Sequence, residues 1–200
     1  LSDFGRKVVR EMNKIGMMID VSHCTDKTFY DILKITNKPL VATHSSPRKF
    51  TPNFERNMSD NMIKDLANNN GLIMLNFGSG FISEQSNQSL GDINSKVEKY
   101  KIQNNLEDSD KKLLKYKDDL INSVKPFASI NDFIDTIDYV KELVGIDHIG
   151  LGSDFEGLGN TLPYDLKDVS MYPNILYNLL EREYSEIEIK KICSDNLFRV

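Results

Sequence analysis

Only two cysteines occur among the 200 residues, Cys24 and Cys193, far apart and without Cys-x-x-Cys spacing. A disulfide framework and a thiolate metal knuckle are therefore both excluded. The chain also lacks a basic block: 25 Lys and Arg face 30 Asp and Glu, for a net charge of −5. That balance gives no electrostatic footprint for nucleic acid or an anionic membrane. No apolar run approaches the roughly 18 residues that cross a bilayer, and the opening Leu1-Ser2-Asp3-Phe4-Gly5 has no secretory-signal pattern. A Gly-rich phosphate turn, a low-complexity tract and a short repeat are missing too.

What is present is a repeated step from strand to helix, organised around two histidines. Met17 to His23 and Pro39 to His44 are short apolar runs, each ending in a histidine and followed by polar residues. Such runs read as buried strands that deliver a side chain to their C-terminal ends. The two histidines are 21 residues apart, about one strand-helix-strand step, so their strands are expected to be parallel neighbours. Cys24 follows His23 directly, and alternation along an extended segment points it away from whatever His23 faces.

Helical spacing is expected over residues 2 to 16, with Ser2 as cap and Gly16 as stop, over 25 to 36, and over 59 to 69. An irregular loop from His44 to Asn57 carries Pro47, Pro52, Arg48, Lys49 and Arg56. Leu72 to Phe77 and His148 to Gly152 read as third and fourth buried strands, the latter running into Ser153-Asp154-Phe155-Glu156-Gly157. Residues 131 to 144 are a core helix, and two more close the chain near 172 to 181 and 185 to 197. Between them, residues 83 to 127 are rich in charge and amide, with apolar residues at helical spacing, and read as a charged helical insertion on the surface.

Four alternating strands and helices predict an α/β fold with a parallel sheet. Functional-looking residues confined to strand C-termini favour a (β/α)8 TIM-type barrel over an open doubly wound sheet. Such a barrel takes about 250 residues and eight strands. The 200 residues are thus expected to form a single partial barrel domain of four β/α units, the C-terminal half of a larger barrel.

Two imidazoles at adjacent strand ends suit a zinc-class ion, yet a catalytic zinc takes three protein ligands and a water. Asp154, just past the fourth strand, suits orienting or deprotonating a water; capping a turn would explain it as well. Glu156 lies further round the turn, as a loop residue. Arg56 suits a bidentate contact with a carboxylate, although a solvated loop arginine needs no such role. His148 begins its strand rather than ending it, which places it on the face of a barrel that serves stability.

These residues are also familiar as a set. Gly16-Met-Met-Ile-Asp-Val-Ser-His23, Ala42-Thr-His-Ser-Ser46, Arg56-Asn-Met-Ser-Asp60, Val140 through His148-Ile-Gly-Leu-Gly-Ser-Asp-Phe-Glu-Gly157, Lys167-Asp-Val-Ser170 and Asp195-Asn-Leu-Phe-Arg-Val200 resemble the membrane (renal-type) dipeptidase family, metallopeptidase family M19. The resemblance implies a barrel of the amidohydrolase type with two zinc ions, hydrolysing dipeptides and tolerating a D-residue at the C-terminal position. By motif, His23 and His44 look like histidine ligands of the second zinc, Arg56 like the arginine that holds the dipeptide carboxylate, and Asp154 like the aspartate that handles the proton of the bridging water. It implies a dipeptide as partner, no nucleic acid, and compatibility with a homodimer; no compartment is indicated.

The family's His-x-Asp pair, its bridging glutamate and a further substrate-binding histidine lie upstream of the matched region, so the isolated 200 residues are expected to bind metal weakly and turn over no substrate. Position 156 is Glu where the family usually has Asp, and Gly78-Ser79-Gly80 replaces aromatic residues after the third strand. Two other readings stay open: an amidohydrolase acting on another amide or a lactam, and a non-catalytic binding protein that uses the charged helices.

Overall fold

The computed structural model describes all 200 residues. The chain begins with helix α1 (Asp3–Ile15), whose N-terminus is capped by the Ser2 hydroxyl accepting from the Gly5 amide, and which ends where Gly16 turns left-handed at φ 73°. Strand β1 (Ile19–Asp20), helix α2 (Asp26–Leu33), strand β2 (Leu40–Ser45), helix α3 (Asp60–Asn68) and strand β3 (Leu72–Asn76) follow. Thr25 caps α2 and Ser59 caps α3, each side chain accepting a backbone N–H three residues on. That local bond satisfies one of the amides a helix start leaves orphaned.

After β3 come a short helix α4 (Ser79–Ile82), two long helices α5 (Glu84–Asn104) and α6 (Lys111–Val124), helix α7 (Ile130–Val144) and strand β4 (Ile149–Gly152). The chain closes with α8 (Phe155–Leu158), α9 (Tyr172–Glu181), α10 (Glu186–Lys190), a π-helical turn over Lys191–Asp195 and α11 (Asn196–Arg199). Ser129 with Asp132 and Ser185 with Glu188 form reciprocal capping boxes.

The four strands form one all-parallel sheet in the order β1-β2-β3-β4. Its register pairs Ile19 with Leu40, Val41 with Leu72 and Ile73 with Ile149, then slips in β2 between Ala42 and Ser45. Gly152 has no room for a side chain: a Cβ there would stand 2.2 Å from the Thr43 carbonyl oxygen. The sheet is therefore curled, bringing the C-terminal ends of β2 and β4 together, and glycine is the residue that permits the approach. Val41, Leu72, Ile73, Leu75 and Ile149 are fully buried, as expected of strands covered on both faces. Helix α7 packs its Phe133 edge-on against Phe77, with ring centroids 4.5 Å apart.

Three local expectations are revised. The first strand is shorter than its apolar run, because Met17 and Met18 leave the Gly16 turn largely exposed, at 54% and 47%. The final helix is broken by the π turn at Lys191–Asp195. Short helices follow β3 and β4: Gly78 precedes α4, and Asp154 heads α8, which places Glu156 on a helical turn rather than in the loop expected for it. Residues 83 to 127 carry α5 and α6, held together by a stacked Tyr100–Tyr116 pair at 4.0 Å and by buried Ile93 and Leu113.

Candidate active site

Strand β1 gives way at Asp20 to a tight turn. The Ser22 amide donates to Asp20 Oδ1 (2.8 Å), and the Cys24 amide donates to the Val21 carbonyl (3.1 Å). His23 sits in that turn with a left-handed backbone, φ 66°, a conformation uncommon outside glycine that recurs at functional positions. His23 is thus presented by a turn, three residues beyond the end of the strand. Its ring meets that of His44, still within β2: the two Nε2 atoms are 3.0 Å apart and the ring planes make an angle of 57°. Cys24 packs partly buried against the core, where burial raises its thiol pKa. It takes no part in the histidine pair.

His44 is anchored on two further sides. Its backbone N–H donates to Ser22 Oγ (3.0 Å), and its Nδ1 lies 2.8 Å from the Thr43 hydroxyl. Thr43 in turn donates its hydroxyl to Asp20 Oδ2 (2.6 Å) and its amide to Asp20 Oδ1 (3.1 Å). Burial works against ionisation of Asp20. The bonds from Thr43 and Ser22 outweigh it, so its pKa falls below the ordinary carboxylate value. For His23, partial burial first, then Arg56 and the His44 ring, lower the pKa, while Asp154 and Asp20 pull the other way. The imidazole therefore favours its neutral, ligand-competent form at neutral pH.

Arg56 comes from the loop after β2, which is closed by an isolated bridge between Pro47 and Met58. Arg48 ties that loop to α2 with a forked pair of bonds to the Asp26 carboxylate (2.9 and 2.6 Å) and two more to the Asn57 and Glu55 carbonyls. Arg56 folds back over β2: Nη2 donates to the His44 carbonyl (2.8 Å), Nη1 to Ser45 Oγ (3.3 Å), and the guanidinium lies 5.5 Å from the Phe81 ring centroid. Its Nε is buried without a partner. Desolvation lowers its pKa, opposed by Asp154 and Asp20; arginine keeps its charge regardless.

Asp154 lies two residues past β4, again left-handed at φ 54°, and heads α8. The fully buried Asn76 at the end of β3 donates to Asp154 Oδ2 (3.1 Å) while its own Oδ1 accepts from the Gly78 amide (2.7 Å). Gly157 is needed beside it, since a Cβ there would fall 2.2 Å from Asp154 Oδ1. Glu156 is exposed on α8. His148 lies at the opposite rim, its Nδ1 2.9 Å from the Gly71 carbonyl.

The structure therefore gathers His23, His44, Arg56 and Asp154 at one end of the sheet. Sequence reading passed over Asp20, Thr43, Asn76 and Arg48 as separate contributors. Asp20 and Thr43 flank the histidines inside motifs already singled out, and that adjacency was the available signal.

Comparison with known proteins decides the lineage. All of residues 1–200 match the family described as membrane dipeptidase, peptidase family M19. The chain belongs to family M19. Over its full length it is 32% identical to the dipeptidase tcpJ of Claviceps purpurea (strain 20.1), of which it covers 37%. Among solved M19-like structures, it superposes with a TM-score of 0.78 and 26% identity on the probable dipeptidase PvdM from Pseudomonas aeruginosa, covering 53% of that chain. It superposes with 0.75 and 25% on a metallo peptidase from Rhodobacter sphaeroides liganded with a phosphinate mimic of the dipeptide L-Ala-D-Ala, covering 46%. The chain thus spans about half the length of its solved relatives, and its curled parallel sheet is part of the TIM-type barrel of the amidohydrolase class.

Membership of a metallopeptidase family raises the question of whether these residues suit a metal. Two nitrogens bound to one zinc-class ion at ~2.0–2.1 Å stand roughly 3.3 Å apart in tetrahedral geometry, close to the 3.0 Å separating the histidine Nε2 atoms. The pair fits as two donors of an M19 centre. No group of three or more His, Cys, Asp or Glu in the chain is placed to hold an ion, so the pair is a partial ligand set.

Proposed function

We propose that the protein containing this chain is a zinc-dependent dipeptidase with two ions in its complete site, hydrolysing the peptide bond of dipeptides. The observation that carries this reading is the facing pair of His23 and His44 Nε2 atoms beside Arg56, in a chain of family M19. The dipeptide mimic held by the Rhodobacter sphaeroides relative supports the substrate class and admits a D-residue at the C-terminal position.

His23 and His44 would hold one metal ion through their facing nitrogens. When bound, the ions supply Lewis acidity and a nucleophile derived from water at neutral pH. Asp154 accepts a proton from the attacking water and returns it to the leaving amine; Asn76 keeps Oδ2 of its carboxylate oriented for that exchange. Arg56 receives the C-terminal carboxylate of the substrate. Its guanidinium is already desolvated and only partly bonded, so an incoming carboxylate meets a charge that water screens little. That contact restricts the substrate to short peptides with a free C-terminus.

The test is a hydrolysis assay on the full-length protein, stripped with chelator and reloaded with zinc. Dipeptides with a free carboxylate should be cleaved, and the matching dipeptide amides cleaved poorly. Equal rates on both, or preference for a lactam, would replace the dipeptidase reading with the wider amidohydrolase one.

A further inference from the structure

The bond network behind His44 determines more than the position of its ring. A threonine hydroxyl has one proton to give. The Thr43 hydroxyl is 2.6 Å from Asp20 Oδ2 and 2.8 Å from His44 Nδ1. Asp20 Oδ1 is already an acceptor for two backbone N–H groups, those of Ser22 and Thr43. An ionised carboxylate bonded in this way only accepts and has no proton to offer. Thr43 must therefore donate to Asp20, and only a lone pair of its oxygen remains for the imidazole. His44 Nδ1 in turn must carry the proton that fills the 2.8 Å contact.

We propose that Asp20 and Thr43 are positioning residues that lock His44 in its Nδ1–H tautomer and so keep the Nε2 lone pair directed at the metal. The proposal rests on the reading of His44 as a ligand and adds two residues that touch neither metal nor substrate. Three features of the chain converge on it. The register slip between Ala42 and Ser45 lets the neighbouring Thr43 and His44 side chains meet, which a regular strand would send to opposite faces. The Asx-type turn at Asp20 to Ser22 aims the carboxylate at β2. Ser22 Oγ then accepts the His44 amide, holding the backbone of the ligand to the same turn. Partners on the non-coordinating nitrogen of a histidine ligand are known to fix its tautomer and raise its basicity. In the metal-free state the lock has a second consequence: His44 Nε2 is an acceptor, so His23 Nε2 must be the donor across their 3.0 Å contact.

The deciding experiment swaps the direction of this chain of bonds. In Asp20→Asn, the amide oxygen takes over the two backbone N–H groups and the amide nitrogen faces Thr43. The hydroxyl is then free to donate to His44 Nδ1, which drives the proton to Nε2. Nitrogen-15 imidazole spectra of the metal-free full-length protein should show His44 as Nδ1–H in the wild type and as Nε2–H in Asp20→Asn. Zinc affinity, measured by competition with a chromophoric chelator, should fall by about 10- to 100-fold. Thr43→Val should lose affinity to a similar degree, and Thr43→Ser should restore it to within about threefold.

A wild-type His44 that is Nε2–H, or an Asp20→Asn protein with unchanged tautomer and affinity, overturns the proposal, as does Thr43→Ser behaving like Thr43→Val. If Thr43→Val does not fold, the wild-type and Asp20→Asn spectra decide alone. The readouts use no substrate: failure to cleave dipeptides would count against the proposed activity and leave the tautomer lock standing.

Discussion

At the N-terminal rim of the sheet, polar side chains answer backbone groups. His148 meets the Gly71 carbonyl, Asn196 donates to the carbonyls of Ile146 and Ile149 (both 2.8 Å), and Arg199 donates to those of Asn70 and Asp147. At the C-terminal rim the same four strands lead into two non-glycine residues in left-handed backbone, His23 and Asp154, and three buried polar atoms without partners, Arg56 Nε, Asn57 Oδ1 and Ser79 Oγ. Both rims carry histidine, yet one imidazole closes a structural contact and the other two face each other. The contrast lies in hydrogen bonding rather than in backbone strain, since Asn70 at the satisfied rim is left-handed too, at φ 58°: one end has its polar groups met, and the other keeps buried polar atoms without partners.

Substitutions that exchange the behaviour of the two rims test this contrast. The largest effect is expected for His44→Ala in the full-length protein. Losing a proposed ligand should remove bound metal and lower kcat/KM on a dipeptide by roughly a thousandfold or more, equivalent to ~4 kcal/mol of transition-state stabilisation. His148→Ala, at the other rim, should leave kcat/KM of the folded enzyme unchanged. Metal content and steady-state kinetics of the two variants, side by side, give the comparison, and equal losses would erase it.

Arg56→Met should raise KM for free dipeptides by about 10- to 100-fold, the worth of a charge-assisted hydrogen bond to a carboxylate. It should barely alter the rate on dipeptide amides. A uniform drop on both would recast Arg56 as a brace for β2 rather than a substrate contact.

Asn196→Ala sharpens the comparison from the stable side. It removes two hydrogen bonds, to the Ile149 carbonyl in the core and the partly buried Ile146 carbonyl, and should cost about 2–3 kcal/mol in urea denaturation, with no change in kcat/KM at temperatures where the protein is folded. A change in metal affinity would mean that the two rims communicate.

The smallest effect lies away from both rims, where Lys141 pairs with Glu188 at 2.6 Å. The Lys141 bond, aided by the Ser185 amide, holds the Glu188 pKa down to about 2. A depressed carboxylate contributes stability above its ordinary pKa and loses it as pH falls toward the folded value. The wild-type Tm should therefore drop more between pH 5 and pH 3 than that of Lys141→Met, by an amount worth less than about 1 kcal/mol because the pair is partly solvated.

Much of this molecule is legible along the chain. Ser2, Thr25, Ser59, Ser129 and Ser185 cap helices through bonds that reach only three residues. The buried strands announce themselves as apolar runs, and the order of strand and helix predicts a parallel sheet. The residues at strand ends that suggest chemistry are visible for the same reason: each is placed by its own short segment. Met17 and Met18 mislead because an apolar pair beside a glycine turn carries no mark distinguishing exposure from burial.

Other features were decided only when the strands came together. Nothing in the order of residues places Asn76 against Asp154 across 78 positions, or folds Arg56 back onto the carbonyl of His44. The slip in β2 that lets Thr43 reach both Asp20 and His44 depends on pairing with β3, which no segment contains alone. Caps and apolar periodicity are short-range and survive in any fold, whereas hydrogen-bond direction between side chains needs atoms placed to within a few tenths of an ångström. Sheet curl and register supply that placement, and they belong to the assembled structure.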